Sequence, residues 1–269
     1  MDVACVTGAH ALMRSANNEL KATSLQTGLQ STINVELGTR LVATTDYTIA
    51  IAEGNSVSLY DCDTGRHVVT LPLKVAPVFL ALGEQILVAA TACDDKYTMS
   101  VMYLTADYAG LVQDIPIPSN VTAITARERE TAVLLGHESG LVAEYVLRPS
   151  AAPTVRAATE RLLLQPPVVL VDDGAGGVIT ATETELQLWQ PPDAGAKARC
   201  KPHEIAPGIL GVVKGEHSAW LRYAGYCQQL GTAKRRRVTC NGARGATIVN
   251  EQLIVCTTNN RLGTVKCFL

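Results

Sequence analysis

The sequence predicts an all-β chain, a single seven-bladed β-propeller of four-stranded antiparallel blades whose last blade is read as open or three-stranded. Three observations predict it. Short runs of alternating or wholly apolar residues recur along the chain, and turn residues break them roughly every 8 to 12 positions. One short pattern also returns at a period near 40. The 269 residues, 47% of them hydrophobic, supply enough apolar material for a large core.

The first clear unit runs Thr48-Ile49-Ala50-Ile51-Ala52, a Glu53-Gly54-Asn55 turn, Val57-Ser58-Leu59-Tyr60, and a second turn from Asp61 to Gly65. The recurring pattern is a turn or polar position followed by apolar, polar and apolar residues, often ending on an aromatic. It occurs at Asn18–Thr23, Asn55–Tyr60, Tyr97–Met102, Gly140–Tyr145, Thr184–Trp189, Tyr226–Gly231 and Gly263–Phe268, the sixth being the poorest. Its third positions are 20, 57, 99, 142, 186, 228 and 265, spaced by 37, 42, 43, 44, 42 and 37. Four strands of about five residues plus turns fill such a period. One domain, 1–269, therefore divides into units of approximately 1–38, 39–75, 76–119, 120–165, 166–206, 207–242 and 243–269.

Helical periodicity is scarce. Val155 to Leu164 has the best local helix composition, although a strand-length connection suits its place in the repeat. Trp189 and Trp220 are expected between blades, since an aromatic content of 4% leaves few anchors for a binding hot spot.

Val57-Ser58-Leu59-Tyr60-Asp61-Cys62-Asp63-Thr64-Gly65-Arg66-His67-Val68-Val69-Thr70-Leu71 resembles a WD-repeat third strand, its turn and the next outer strand, with Tyr60-Asp61 where that family carries Trp-Asp. Leu25-Gln26-Thr27-Gly28 repeats the Thr-Gly turn, and Leu186-Gln187-Leu188-Trp189-Gln190 keeps the tryptophan. Gly136-His137 is the nearest match to the family's Gly-His element. The resemblance spans nearly the whole chain with degenerate motifs, and it implies a non-catalytic protein-interaction scaffold.

Only 17 residues precede the first anchor, room for two strands at about 2–7 and 11–16, while the chain stops at Leu269 inside the last third strand. One strand is therefore expected to be missing. The segment Thr264, Val265, Lys266, Cys267, Phe268 and Leu269 is the candidate open edge strand, whose unpaired backbone groups could accept a partner's strand. Here the resemblance is to the open propellers of vesicle coats and nuclear-pore scaffolds.

No local pattern points to catalysis, a cofactor or a small-molecule substrate. The eight cysteines are scattered without a CxxC pair and read as reduced, mostly buried thiols. The five histidines show no metal-ligand spacing. Gly174-Ala175-Gly176-Gly177 lacks the Lys-Ser/Thr and helix of a phosphate loop and reads as a turn between strands. Gly136-His137-Glu138-Ser139-Gly140 does not centre its serine as a nucleophile elbow does and also reads as a turn. Asp94-Asp95 and Asp172-Asp173 read as solvated loop charges.

Lys234, Arg235, Arg236 and Arg237 form the candidate partner or RNA contact, since four adjacent cations suit phosphates or an acidic peptide. The same residues also suit a solvated edge strand, where basic side chains discourage unwanted pairing and alternate between two faces. With a net charge of -2, no secretory signal and no membrane-length apolar run, the chain reads as intracellular, without membrane contact. The expected function is a scaffold subunit bound to other proteins in a stable multi-subunit complex. The alternatives are an RNA-contacting subunit of a ribonucleoprotein assembly and an open propeller completed by a partner's strand.

Overall fold

An apolar run without polar alternation, such as Ala132-Val133-Leu134-Leu135, must bury both of its faces. The computed structural model of the protein shows how it does so. It describes residues 4–6, 10–14, 19–35, 41–105, 112–127, 130–156, 160–172, 176–189, 200–214, 219–230, 237–240, 243–249, 252–257 and 262–266.

Sheet one holds β1 (Ala4–Val6), β2 (His10–Arg14), β3 (Glu19–Ser24) and β4 (Gln30–Asn34). Sheet two holds β5 (Leu41–Thr44), β6 (Thr48–Glu53), β7 (Ser56–Asp61) and β8 (His67–Pro72). Sheet three holds β9 (Pro77–Leu82), β10 (Ile86–Cys93), β11 (Lys96–Tyr103) and β12 (Val112–Ile117). Sheet four holds β13 (Val121–Ala126), β14 (Ala132–His137) and β15 (Leu141–Val146), with its outer position shared by β16 (Thr154–Val155) and β17 (Arg161–Leu162), both paired to β15. Sheet five holds β18 (Val169–Asp172), β19 (Val178–Ala181), β20 (Glu185–Trp189) and β21 (Cys200–Glu204). Sheet six holds β22 (Ile209–Lys214), β23 (Ala219–Tyr223), β24 (Tyr226–Gln229) and β25 (Arg237–Thr239). The remaining strands, β26 (Ala243–Val249), β27 (Gln252–Thr257) and β28 (Leu262–Lys266), form a sheet of three.

The expected seven blades, the last of them open or three-stranded, are thus corrected to six blades of four strands. Residues 243–266 supply only three hydrogen-bonded strands, and no described strand pairs with the outer side of β28, so this meander is not a complete blade. Val155 and Arg161–Leu162 are short strands rather than a helical turn, because pairing with β15 satisfies their backbone in extended form.

The chain divides into two compact units, one of residues 1–53, 58–70 and 208–269, the other of 54–57 and 71–207. In the second unit, alternation along each strand feeds two cores. Val133 and Leu135 of β14, with Ala143 and Tyr145 of β15, pack with Val88, Met99 and Val101 of sheet three. Leu134 and Val142 point the other way, onto Leu170, Val178 and Trp189 of sheet five. In the first unit, Leu12, Leu20 and Ile33 meet Ile49 and Ile51 between sheets one and two. Trp220 and Cys227 of sheet six meet Leu253 and Val255 of β27. Each fully buried large side chain contributes about 1.5–3 kcal/mol.

The anchors of the repeat fall on β3, β7, β11, β15, β20, β24 and β28, the third strand of each sheet. Leu20, Val57, Met99, Val142 and Leu186 are all buried. In β24 the reading is off by one residue. Cys227 and Gln229 face inward while Gln228 is half-exposed, and a one-residue slip moves every side chain to the opposite face.

Two turns explain the repeated Thr-Gly signal. After β7, the Asp61 carboxylate accepts from the Thr64 backbone N–H at 2.8 Å and from the Thr64 hydroxyl at 2.6 Å, and the Gly65 N–H donates to the Asp61 carbonyl at 2.9 Å. Gly65 lies at φ 69°, where a side chain would be strained, and a Cβ there would stand 2.9 Å from the Thr32 carbonyl oxygen. After β3, the Ser24 hydroxyl accepts from Thr27 N–H and Gly28 N–H donates to the Ser24 carbonyl, the same five-residue design.

The hydrogen bonds from Thr64 hold the Asp61 carboxyl below the ordinary aspartate range. A carboxyl that titrates lower in the folded chain stabilises it fully above the unfolded value, near pH 4, and that contribution is lost as pH falls through the folded value. Asp61→Ala is therefore expected to unfold at a lower temperature than wild type at pH 7. Thermal melts repeated toward pH 3 will check that the gap closes on acidification.

Candidate interaction surface

Of the sequence-predicted basic cluster, Lys234, Arg235 and Arg236 lie outside the described residues. Arg237 opens β25 and is exposed. Its guanidinium sits 3.6 Å from the centroid of the Tyr226 ring, a cation–π contact. Tyr226 in turn stacks on the buried Tyr223, with centroids 4.5 Å apart and planes at 18°. Both faces of the Tyr226 ring are therefore covered, and the outward group is the cation. Of the candidate edge strand, Thr264, Val265 and Lys266 lie on β28, whose partner β27 takes one side. Cys267, Phe268 and Leu269 lie outside the described residues.

Sequence reasoning missed the outer edge of sheet four. The two-residue strands β16 and β17 leave a run in which Leu163 turns inward while Leu162 and Leu164 are 76% and 101% exposed. Val155 and Val168, on either side along the chain, are exposed as well. Next to Leu162, Arg161 holds its guanidinium 5.5 Å from the Trp189 ring centroid. The triplet Leu162-Leu163-Leu164 was the available signal, but strand alternation had to be known before it could be read as one buried and two solvated leucines.

Asp172 is not a solvated loop charge as expected. Its side chain is 8% exposed and accepts from Arg127 Nη1 at 2.6 Å. Arg127, just after β13, also makes a bidentate pair with Glu144 on β15, from Nε at 3.2 Å and Nη2 at 3.0 Å. The carbonyl oxygens of Gly177 and Gly176 accept from the same guanidinium at 2.8 and 3.3 Å. Arg156 donates to Glu144 at 2.9 Å and to Glu130 at 2.5 Å, extending the network outward. Burial opposes the Arg127 charge, but the hydrogen bonds it donates to Glu144 and Asp172, with their charges, outweigh it and push its pKa up. The glycine turn therefore offers carbonyl oxygens to a cation, the opposite of the backbone N–H groups a phosphate needs.

Asp94 and Asp95, at φ 49° and 59°, make the two-residue turn that joins Cys93 to its partner Lys96. Near it lies a groove of about 410 Å³ lined by Lys74, Cys93, Lys96, Ser100 and Asp114. Lys74 donates to Asp114 at 2.8 Å and Ser100 donates to its other oxygen at 2.7 Å, so these polar groups satisfy one another.

In the Gly136–Gly140 turn, the Ser139 hydroxyl accepts from Leu141 N–H. His137 is buried with Nδ1 3.2 Å from the Ser119 carbonyl oxygen, and burial lowers its pKa. No serine–histidine bond joins Ser139 to His137 in the hydrogen bonding described. Among the described residues no three His, Cys, Asp or Glu side chains converge as a metal site. Among them, too, no helix is long and apolar enough to cross a membrane.

No protein-family model matches the sequence, and no curated protein matches it. Solved structures do. The chain is similar to a chain in the crystal structure of the mitotic checkpoint complex, with a TM-score of 0.71 and 10% identity over 99% of this chain and 87% of that one. It is similar to the Cps50 (Swd1) β-propeller domain of Myceliophteria thermophila, with a TM-score of 0.70 and 12% identity over 97% of this chain and 94% of that one. The computationally designed Ika8 protein gives a TM-score of 0.63 and 11% identity over 98% of this chain and 95% of that one. At these identities the likeness is one of fold. It is the all-β β-propeller fold, here with six four-stranded blades.

Proposed function

We propose that the protein is a non-catalytic scaffold that holds other proteins within a larger intracellular multi-subunit complex. The observation that carries this reading is the outer edge of sheet four, where Leu162 and Leu164 are both solvated while Leu163 between them is buried. Single exposed leucines are ordinary, but two of them two positions apart on one blade edge offer an apolar contact to another protein. The outer backbone of β28, at Thr264, Val265 and Lys266, is the second surface we assign to a protein partner, by strand addition.

The second reading is an RNA contact at Lys234 to Arg237, favoured by the exposed guanidinium of Arg237 above Tyr226. Because Tyr226 is covered on both faces, this surface would bind phosphates rather than stack bases. Salt separates the two readings. Four cations on single-stranded RNA weaken binding by about 50-fold between 50 and 200 mM salt, whereas an apolar contact changes little.

The test is native recovery of the protein at those two salt concentrations, with accompanying proteins identified by mass spectrometry, for wild type, Leu162→Ser/Leu164→Ser and a variant neutral at 234–237. The double serine variant is expected to keep wild-type thermal stability within about 0.5 kcal/mol and to weaken the protein partners by about 30-fold, the loss of a hot spot worth about 2 kcal/mol. Partners retained by that variant and lost by the neutral one, in a salt- and RNA-dependent way, would overturn the scaffold reading in favour of the second.

A further inference from the structure

Cys227 and Cys240 are 13 residues apart in sequence, and the hairpin of β24 and β25 brings them together. Cys227 stands opposite Val238, and Cys240 follows two residues after Val238, on the same face of the sheet. Its N–H donates to the Gly225 carbonyl at 2.9 Å, which continues the ladder one step beyond β25. The two sulfurs lie 3.7 Å apart and both thiols are free. A disulfide needs about 2.05 Å between sulfurs, so side-chain rotation must close less than about 2 Å.

The other two cysteines whose side chains are described differ. Cys62 is buried, and burial pushes its thiol up to about 12 as it does that of Cys227, with the charges of Asp61, Asp63 and Asp46 adding to the effect, but no second described sulfur is placed against it. Cys93 is exposed, and its thiol faces the Asp94 carboxylate at 3.7 Å. Among the four cysteines whose side chains are described, only Cys227 and Cys240 have sulfurs placed against each other.

The geometry points to a reversible Cys227–Cys240 disulfide, formed under peroxide, as a redox modification site that staples β24 to β25. Cys240, partly exposed, meets the oxidant, and Cys227, fully buried, resolves it. The Cys240 thiolate attacks one oxygen of hydrogen peroxide. The O–O bond breaks, one oxygen leaves as hydroxide and takes up a proton to become water, and Cys240 becomes a sulfenic acid. The Cys227 thiolate then attacks that sulfur, the S–O bond breaks, and the second hydroxide leaves as water. Two thiols and one peroxide thus yield one disulfide and two waters, with peroxide taking two electrons.

The order follows from the surroundings of each sulfur. Burial pushes the Cys227 thiol up to about 12, and the charge of Cys240 and a hydrogen bond with it add to the effect, while Arg222 acts the other way. The bond joins the strands that carry Tyr226 and Arg237, and would bear directly on that stacked pair.

The sequence makes the test direct, because trypsin cuts between the two cysteines. Cys227 falls in peptide 223–234 and Cys240 in peptide 238–244. The full chain, fully reduced, is exposed to equimolar hydrogen peroxide, alkylated and digested without reduction. The expected product is these two peptides joined with loss of two hydrogens, separated again by a dithiol, while Cys62 stays reduced. In Cys227→Ser, Cys240 is expected to accumulate as a sulfenic acid trapped by dimedone. Oxidation of Cys93 with no linked pair in the same wild-type sample would overturn the inference, as would Cys240 linked to a different cysteine.

Discussion

Arg127→Met is expected to destabilise the protein by about 3–5 kcal/mol, because it leaves Glu144 charged, 0% exposed and without its main cation. The melting temperature is then expected to fall by on the order of 10 °C. The guanidinium uses Nε, Nη1 and Nη2 on two carboxylates and two carbonyl oxygens, a planar fork that a lysine ammonium cannot reproduce. Arg127→Lys is therefore expected to behave more like methionine than like wild type, although it keeps the charge. Removing the stranded carboxylate separates this account from a simple packing loss. In the Arg127→Met background, Glu144→Met is expected to recover stability, with a coupling of about 1–3 kcal/mol in a double-mutant cycle read by denaturant unfolding. Additive losses would mean that the pair acts through volume and not through charge.

This network also shows where the sequence stops informing. Arg127, Glu144 and Asp172 belong to three strands or strand ends of two sheets, and none of the three has a neighbour in sequence that marks it as buried. A charged residue reads as solvated until the fold places its partner. By contrast, the third strands were readable because each needs apolar residues at alternate positions and a turn before it, both local requirements. Gln228 shows the limit of that signal. With glutamines on both sides of the strand period, hydrophobicity no longer distinguishes one face from the other, and the register of β24 was misread by one. The number of complete blades depended on hydrogen bonds beyond β28, which no periodicity reports. Cys227 and Cys240 looked scattered for the same reason: their proximity belongs to hairpin register, not to spacing.

Gly140→Ala is expected to cost about 3 kcal/mol, at the upper end of ordinary single substitutions. Two separate effects add there. Gly140 lies at φ 84°, where an L residue is disfavoured by about 1–2 kcal/mol. A Cβ would also stand 2.4 Å from the Leu163 carbonyl oxygen, a backbone atom that cannot rotate away. That oxygen is fixed because the Leu163 N–H donates to the Gly140 carbonyl at 2.9 Å, clamping the end of β17 onto the turn before β15. Gly54→Ala isolates the conformational part, since Gly54 has φ 55° and nothing within 4 Å of its would-be Cβ. It is expected to cost only about 1 kcal/mol. The same pair of variants bears on function. If Leu162 and Leu164 hold a protein partner, displacing Leu163 moves both of them, so Gly140→Ala is expected to weaken partner recovery at temperatures where it is still folded, and Gly54→Ala to leave it unchanged. Equal losses of stability in the two melts would remove the close approach at Leu163 as the cause, and with it the link between this turn and the exposed leucines.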